Sequence, residues 1–241
     1  MKLQCCPLPT SIFSNHTGFD SFAFIDFTPH MAAYTEQWEK LDLQFSGILT
    51  GYLGSPEQIG LVKHFLTRFK GAQTTVVIDP VMGDNGKLYP SFSPALAAKL
   101  GELVPFADLL TPNLTEACIL TQTPYRADMD DAALTALCRA LSEMGPKSIV
   151  ISGLEREQEL ANFIYHQGQT VTVTEPRVGP NRSGTGDVFS SILVADAVNG
   201  VPLEESVRHA AAFIAKVLRR TVDLNLPQTD GLCFEEFLTQ L

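Results

Sequence analysis

Short apolar runs with little polar alternation recur along this chain, separated by longer segments in which apolar residues return every three or four positions. Gly47 to Thr50, Thr75 to Ile78, Ala107 to Leu110 and Ser148 to Ile151 are runs of the first kind. Such runs suit strands buried on both faces. Helical spacing marks Ser55 to Phe69, Ser93 to Leu103, a short segment from Leu114, Asp130 to Met144, Asp187 to Val198 and Leu203 to Arg220, and Phe234 to Leu238 closes the chain. Ser55 before Pro56 and Ser93 before Pro94 place an N-cap ahead of a first-turn proline. Leu160 to Tyr165 and Thr170 to Thr174 flank His166-Gln167-Gly168-Gln169 and predict a hairpin.

Strands alternating with helices predict parallel βαβ units, hence an α/β fold with helices on both faces of a mostly parallel sheet. No linker, repeat or low-complexity tract interrupts the pattern, so residues 1–241 are expected to form one domain. In such folds ligands bind beyond the carboxyl ends of the strands. Those ends carry Gly51-Tyr52, Asp79 to Asp84, Thr111 to Glu116 and Ser152, where polar, small and turn-forming residues cluster.

Composition narrows the class. Apolar residues make up 45 % of the 241 positions and charged residues 18 %, an ordinary globular balance. The formal net charge is -10, and no basic run exceeds Arg219-Arg220, so no nucleic-acid partner is expected. No apolar stretch approaches the roughly 20 residues that cross a bilayer, so no membrane role is expected either. Met1 to Thr10 has one Lys and no apolar core of a signal peptide. Five cysteines without a Cys-x-x-Cys pair predict reduced thiols and a cytoplasmic setting.

The strongest chemical signal is Ser183-Gly184-Thr185-Gly186-Asp187 at the start of a helix. Glycines let backbone N–H groups approach a ligand, and the helix start adds unpaired N–H groups and a positive dipole end. That combination can hold the charge on a transferring phosphoryl group, with Asp187 beside it to take a proton from an attacking hydroxyl. A plain helix cap reads equally well from this segment alone. It is neither a Walker loop nor a dinucleotide-binding glycine loop. Asp79 to Asp84 sets two carboxylates in a turn, which suits a hard cation or a solvated loop. Asn113 is a phosphate contact or an N-cap, and Tyr52 an aromatic platform or a core residue.

Five segments in order resemble the ribokinase-like superfamily, and within it the pyridoxal/pyridoxamine kinases, chiefly the bacterial pyridoxamine kinases. They are Ser14-Asn15-His16-Thr17-Gly18, Thr50-Gly51-Tyr52-Leu53-Gly54, Asp79-Pro80-Val81-Met82-Gly83-Asp84 through Tyr89, Thr111-Pro112-Asn113-Leu114-Thr115-Glu116-Ala117, and Gly184 to Asp187. The resemblance covers essentially the whole chain. It implies a three-layer ribokinase-like fold and ATP-dependent phosphorylation of the 5′-hydroxymethyl group of a vitamin B6 compound, with Mg²⁺ and a monovalent cation.

By the same resemblance Asp187 is the base, and Gly184, Thr185 and Gly186 hold the transferring group. His16, Thr17 and Tyr52 meet the B6 ring. Asn113, Ser152, Thr111 and Asp79 lie at the nucleotide, and Asp84 and Glu116 serve Mg²⁺. A homodimer is implied. Family members carry one more strand and helix ahead of the Met1 to Pro7 segment, so the fold is expected to lack its N-terminal strand and helix. The competing readings are a hydroxymethylpyrimidine kinase, which often has Cys where Asp187 stands, and a catalytically impaired binder of a B6 vitamer.

Overall fold

The burial pattern of Val76, Val77 and Ile78 sets the architecture. All three are fully buried, and successive side chains point to opposite faces of the sheet. Val76 and Ile78 join one apolar cluster, and Val77 joins another. Ile149, Val150 and Ile151 divide in the same way. A sheet with apolar residues on both faces needs cover on both faces, which the helices supply.

The computed structural model describes residues 1–16 and 18–241; Thr17 lies outside the described residues. In chain order the strands and α-helices are β1 (Ser11–Phe13), β2 (Phe24–Asp26), α1 (Thr28–Lys40), β3 (Gly47–Thr50), α2 (Pro56–Phe69), β4 (Thr75–Ile78), β5 (Gly83–Asp84), β6 (Lys87–Leu88), α3 (Pro94–Leu100), β7 (Leu109–Leu110), α4 (Leu114–Leu120), α5 (Asp131–Glu143), β8 (Ser148–Arg156), β9 (Glu159–His166), β10 (Gln169–Pro176), α6 (Thr185–Val198) and α7 (Leu203–Asp223). The main sheet has the order β10-β9-β8-β7-β4-β3. β3, β4, β7 and β8 run parallel, while β9 and β10 continue from β8 as an antiparallel meander. Residues of α2 to α5 pack on the Val76 face, and those of α6 and α7 on the Val77 face. This is the mostly parallel α/β sheet that the alternating pattern predicts.

The Ser55 and Ser93 caps act as the sequence predicts, and the structure adds one at Asp130. The hydroxyls of Ser55 and Ser93 accept the N–H groups of Gln58 and Leu96, and Asp130 accepts that of Ala133. Boundaries shift where packing intervenes. The Ser93–Leu103 helix ends at Leu100, and a 3-10 turn over Gly101–Phe106 follows, with Pro105 unable to continue an α-helix. The final segment is also 3-10, over Glu235–Gln240. The β1–β2 hairpin, α1 and the small β5–β6 hairpin carried no clear periodic signal.

Gln58 ties the β1–β2 region to the body. Its side chain accepts the Gly54 N–H and donates to Thr10 O, Thr28 Oγ1 and Asp26 Oδ1 at 2.7 to 3.1 Å. It is only 1 % exposed. No helix among the described residues is long and apolar enough to cross a membrane.

Candidate active site

The loop before α6 turns because Gly184 adopts φ 89°, ψ −5°, a left-handed conformation that disfavours residues with a Cβ. α6 begins at Thr185, and no side chain caps it. Its first-turn N–H groups have no intrahelical partner, and the residues that carry them line a cleft. A Cβ built on Gly184 or Gly186 would meet nothing within 4 Å, so the space in front of the loop is open. Asp187 stands in this first turn, exposed to solvent.

One turn further on, Ser190 shares the Asp187 face of α6. Its hydroxyl donates to Asp79 Oδ2 at 2.8 Å and lies 3.2 Å from Thr111 Oγ1. Asp79 follows β4, and Thr111 follows β7, so two strand ends and the helix start meet here. Burial pushes the Asp79 carboxyl up to about 7, the Ser190 hydrogen bond opposes that rise, and the charge of Asp187 adds to it.

Glu116 lies deeper, 3 % exposed. Its Oε1 accepts the Met82 N–H at 3.1 Å, and its Oε2 accepts the Asn113 N–H at 2.8 Å. Burial and then the Asp79 charge push it up to about 8, against the pull of these backbone hydrogen bonds. Asn113 completes the capping box by accepting the Glu116 N–H, and its Nδ2 donates to Gly83 O. The β5–β6 hairpin is thereby pinned to α4. Asp84 is exposed and accepts the Asn85 N–H. The Tyr89 hydroxyl is pushed up to about 12 by burial and by the charges of Glu116, Asp84, Asp79 and Asp187. Four carboxylates thus face one region around this hydroxyl.

Ser152 reaches the same region because β8 breaks register between Ile151 and Leu154, with Gly153 at φ 68°. An isolated parallel bridge joins Asn113 to Ser152. Asp79, Asp84, Thr111, Asn113, Glu116, Ser152 and the Gly184–Asp187 loop all line one cleft of about 590 Å³.

His16 and Tyr52 do not line this cleft. The Tyr52 ring lies edge-on to Phe13 and Phe92, in an aromatic cluster beside the end of β3. His16 bonds to Thr229 O at 2.7 Å and accepts the Gly18 N–H at 3.0 Å. The Thr17 position is outside the described residues. Sequence reading missed Ser190, although its spacing of three from Asp187 was a usable signal. It also missed Arg182, which lines the cleft and had none.

A tight group of three or more His, Cys, Asp or Glu able to hold a metal ion does not occur among the described residues. The donor set still fits Mg²⁺, which takes one or two carboxylates and completes its shell with water and substrate phosphates. Burial raises the Asp79 and Glu116 carboxyls, and the Asp79 charge raises Glu116 further, an environment that a hard cation would relieve.

Residues 23–231 match the family described as phosphomethylpyrimidine kinase. A hydroxymethylpyrimidine/phosphomethylpyrimidine kinase of Haemophilus influenzae is 33 % identical over 80 % of this chain and 71 % of its own length. A pyridoxal kinase of Arabidopsis thaliana is 29 % identical over 90 % of this chain and 72 % of its own. A Bacteroides thetaiotaomicron protein, provisionally assigned as a phosphomethylpyrimidine kinase and solved with pyridoxal, superposes with a TM-score of 0.93 at 36 % identity, covering 98 % of this chain and 84 % of that one. With its ribokinase-like fold and these relatives, the chain belongs to the phosphomethylpyrimidine kinase family, phosphotransferases that act on an alcohol group and include its pyridoxal kinase relatives.

Proposed function

We propose that this chain phosphorylates the 5′-hydroxymethyl group of a vitamin B6 compound with ATP. The observation that carries the reading is the meeting of the uncapped α6 start at Gly184–Asp187 with the strand-end residues Asp79, Thr111 and Asn113 in one cleft. The B6 assignment draws on the Bacteroides relative solved with pyridoxal and on the pyridoxal kinases among the relatives.

The substrate oxygen attacks the γ-phosphorus in line, the bond to the β-phosphate oxygen breaks, and ADP leaves. Asp187 takes the hydroxyl proton. The N–H groups of Gly184, Thr185 and Gly186 receive the charge that spreads over the equatorial oxygens. Ser190 holds Asp79 in place beneath them. Thr111, Asn113 and Ser152 border the nucleotide path. Mg²⁺, held by Asp84 and through water by Glu116, would neutralise phosphate charge, and a monovalent cation would sit near Asp79. His16, Thr17 and Tyr52 are assigned to the B6 side. Tyr52 there would supply an aromatic wall; its ring packs on Phe92 and is not part of the cleft lining.

Residues 1–241 act as one domain in this reading. Five free cysteines support a reduced, cytoplasmic setting. The exposed apolar side chains of Ile12, Phe22, Phe24 and Ile25 support burial against a second copy in a homodimer.

The second reading, a hydroxymethylpyrimidine kinase, is favoured by the family match and the Haemophilus relative. Asp187, where that enzyme often has Cys, argues for B6. ATP turnover measured with pyridoxal, pyridoxamine, pyridoxine and hydroxymethylpyrimidine separates them. A B6 vitamer is expected to give the highest kcat/KM. Asp187→Asn is expected to lower kcat about 10²–10⁴-fold with nucleotide binding retained. Preference for the pyrimidine, or near-full turnover by the variant, would overturn the assignment.

A further inference from the structure

Arg182 is buried to 9 % exposure two residues ahead of Gly184, and among the described residues no carboxylate pairs with it. Its guanidinium instead reaches three backbone carbonyls of the turn that follows α7. Nη1 donates to Pro227 O at 2.6 Å and Gly231 O at 3.3 Å, and Nη2 donates to Leu226 O at 2.7 Å. Nε is buried without a partner. A buried guanidinium held only by carbonyls is costly, so the turn must be matched closely to its fork.

The turn is attached on both sides. Toward the anion loop, Gln228 Nε2 donates to Asn181 O at 3.0 Å, and Thr185 Oγ1 donates to Arg182 O at 3.3 Å. Toward the N-terminal loop, Thr229 O is 2.7 Å from His16 Nε2. The Gly18 N–H donates to His16 Nδ1, which leaves the proton on Nε2 for Thr229. The imidazole lies so close on Gly18 that a Cβ there would come within 2.6 Å of it. Three segments far apart in sequence are therefore linked by a continuous series of hydrogen bonds.

We propose that Arg182, the Leu226–Gly231 turn and His16 form a strut that fixes the His16 loop relative to the Gly184–Asp187 loop, with Arg182 as a positioning residue for phosphoryl transfer. The inference rests on the kinase reading of the same cleft. Transfer depends on the acceptor oxygen and the anion-binding N–H groups being held at fixed separation, and a misplacement near 1 Å costs about 10²-fold in rate. Arg182 sets where the anion loop starts, and His16 sets where the substrate-side loop ends.

Hydrogen exchange and steady-state kinetics on the full chain test this together. His16→Ala is expected to raise amide exchange not only near residue 16 but also in 226–231 and 183–187, and Arg182→Met to raise it in 183–187 and 226–231. Increases confined to the substituted segment would overturn the strut. This readout needs no turnover, so it stands apart from the kinase reading, which fails if the unsubstituted chain turns over no B6 vitamer. In kinetics, Arg182→Met is expected to lower kcat about 10–100-fold with the KM for ATP within about threefold, because positioning acts on the transition state. Arg182→Lys should recover part of kcat. Raised KM with kcat retained would instead make Arg182 a direct phosphate ligand and overturn the proposal. The His16→Ala and Arg182→Met effects on kcat should be less than multiplicative when combined, and full multiplicativity would show the two ends act independently. If Arg182→Met does not fold, Gln228→Ala leaves the guanidinium in place and carries the same exchange and kcat test.

Discussion

Asp79→Asn removes a carboxyl whose ionisation the folded chain resists. Burial and the Asp187 charge raise Asp79 from the ordinary 3.8 to about 7. Between those two values the folded chain holds a proton that the unfolded chain has lost. Stability therefore falls as pH rises through that window, the reverse of the usual salt-bridged aspartate. From pH 5 to pH 8 the proton difference persists over about two pH units, and at 1.36 kcal/mol per unit this costs roughly 2–3 kcal/mol. For a chain of this size that is a fall in Tm of roughly 5–10 °C. Asparagine keeps an oxygen to accept the Ser190 hydroxyl but cannot ionise, so the Asp79 share of the slope should vanish. Glu116, raised to about 8 by burial and by Asp79 itself, adds a slope of the same sign. Without the Asp79 charge its own contribution should also shrink. The assay is thermal unfolding without divalent cations at pH 5, 6.5 and 8. The variant's Tm advantage over the parent should widen from pH 5 to pH 8. Parallel Tm profiles for the two chains would refute the reasoning.

Tyr52→Ala is expected to raise the KM for the B6 vitamer about tenfold, close to the worth of a lost aromatic contact, and more than the KM for ATP, while Tyr52→Phe retains most of the affinity. Equal losses for both substrates would place Tyr52 in the Phe13–Phe92 aromatic core alone. Gln58→Leu strands the Gly54 N–H and the Thr28 and Thr10 groups that it serves. It should cost about 2–4 kcal/mol in denaturant unfolding, and a loss under about 0.5 kcal/mol would show that water replaces the side chain.

The elements the sequence declared are those whose signals are local. Ser55, Ser93 and Asp130 cap their helices through N–H groups three residues on, so both partners stand in one short window. Thr75–Ile78 and Ser148–Ile151 read as buried strands because both faces are covered. The strand-end rule then brought Asp79, Thr111, Asn113 and Ser152 to one cleft with Gly184–Asp187, and the resemblance named their roles. The β1–β2 hairpin stayed hidden because its residues are largely exposed on both faces, so no alternation marks it. α1 buries only Thr28 and Met31, too narrow a stripe to stand out.

Other features belong to tertiary structure alone. The bulge that turns Ser152 into the cleft depends on how β8 meets β9. The raised carboxyls of Asp79 and Glu116 depend on burial and on charges 37 positions apart in sequence that the fold makes neighbours. The resemblance put His16 on the substrate side, and only the fold shows that its ring nitrogens meet Gly18 and Thr229. Arg182 showed nothing in the sequence because its partners are backbone carbonyls 44 to 49 residues away. A carbonyl is common to every residue and leaves no mark in side-chain identity. Only the folded chain could decide which carbonyls face that guanidinium.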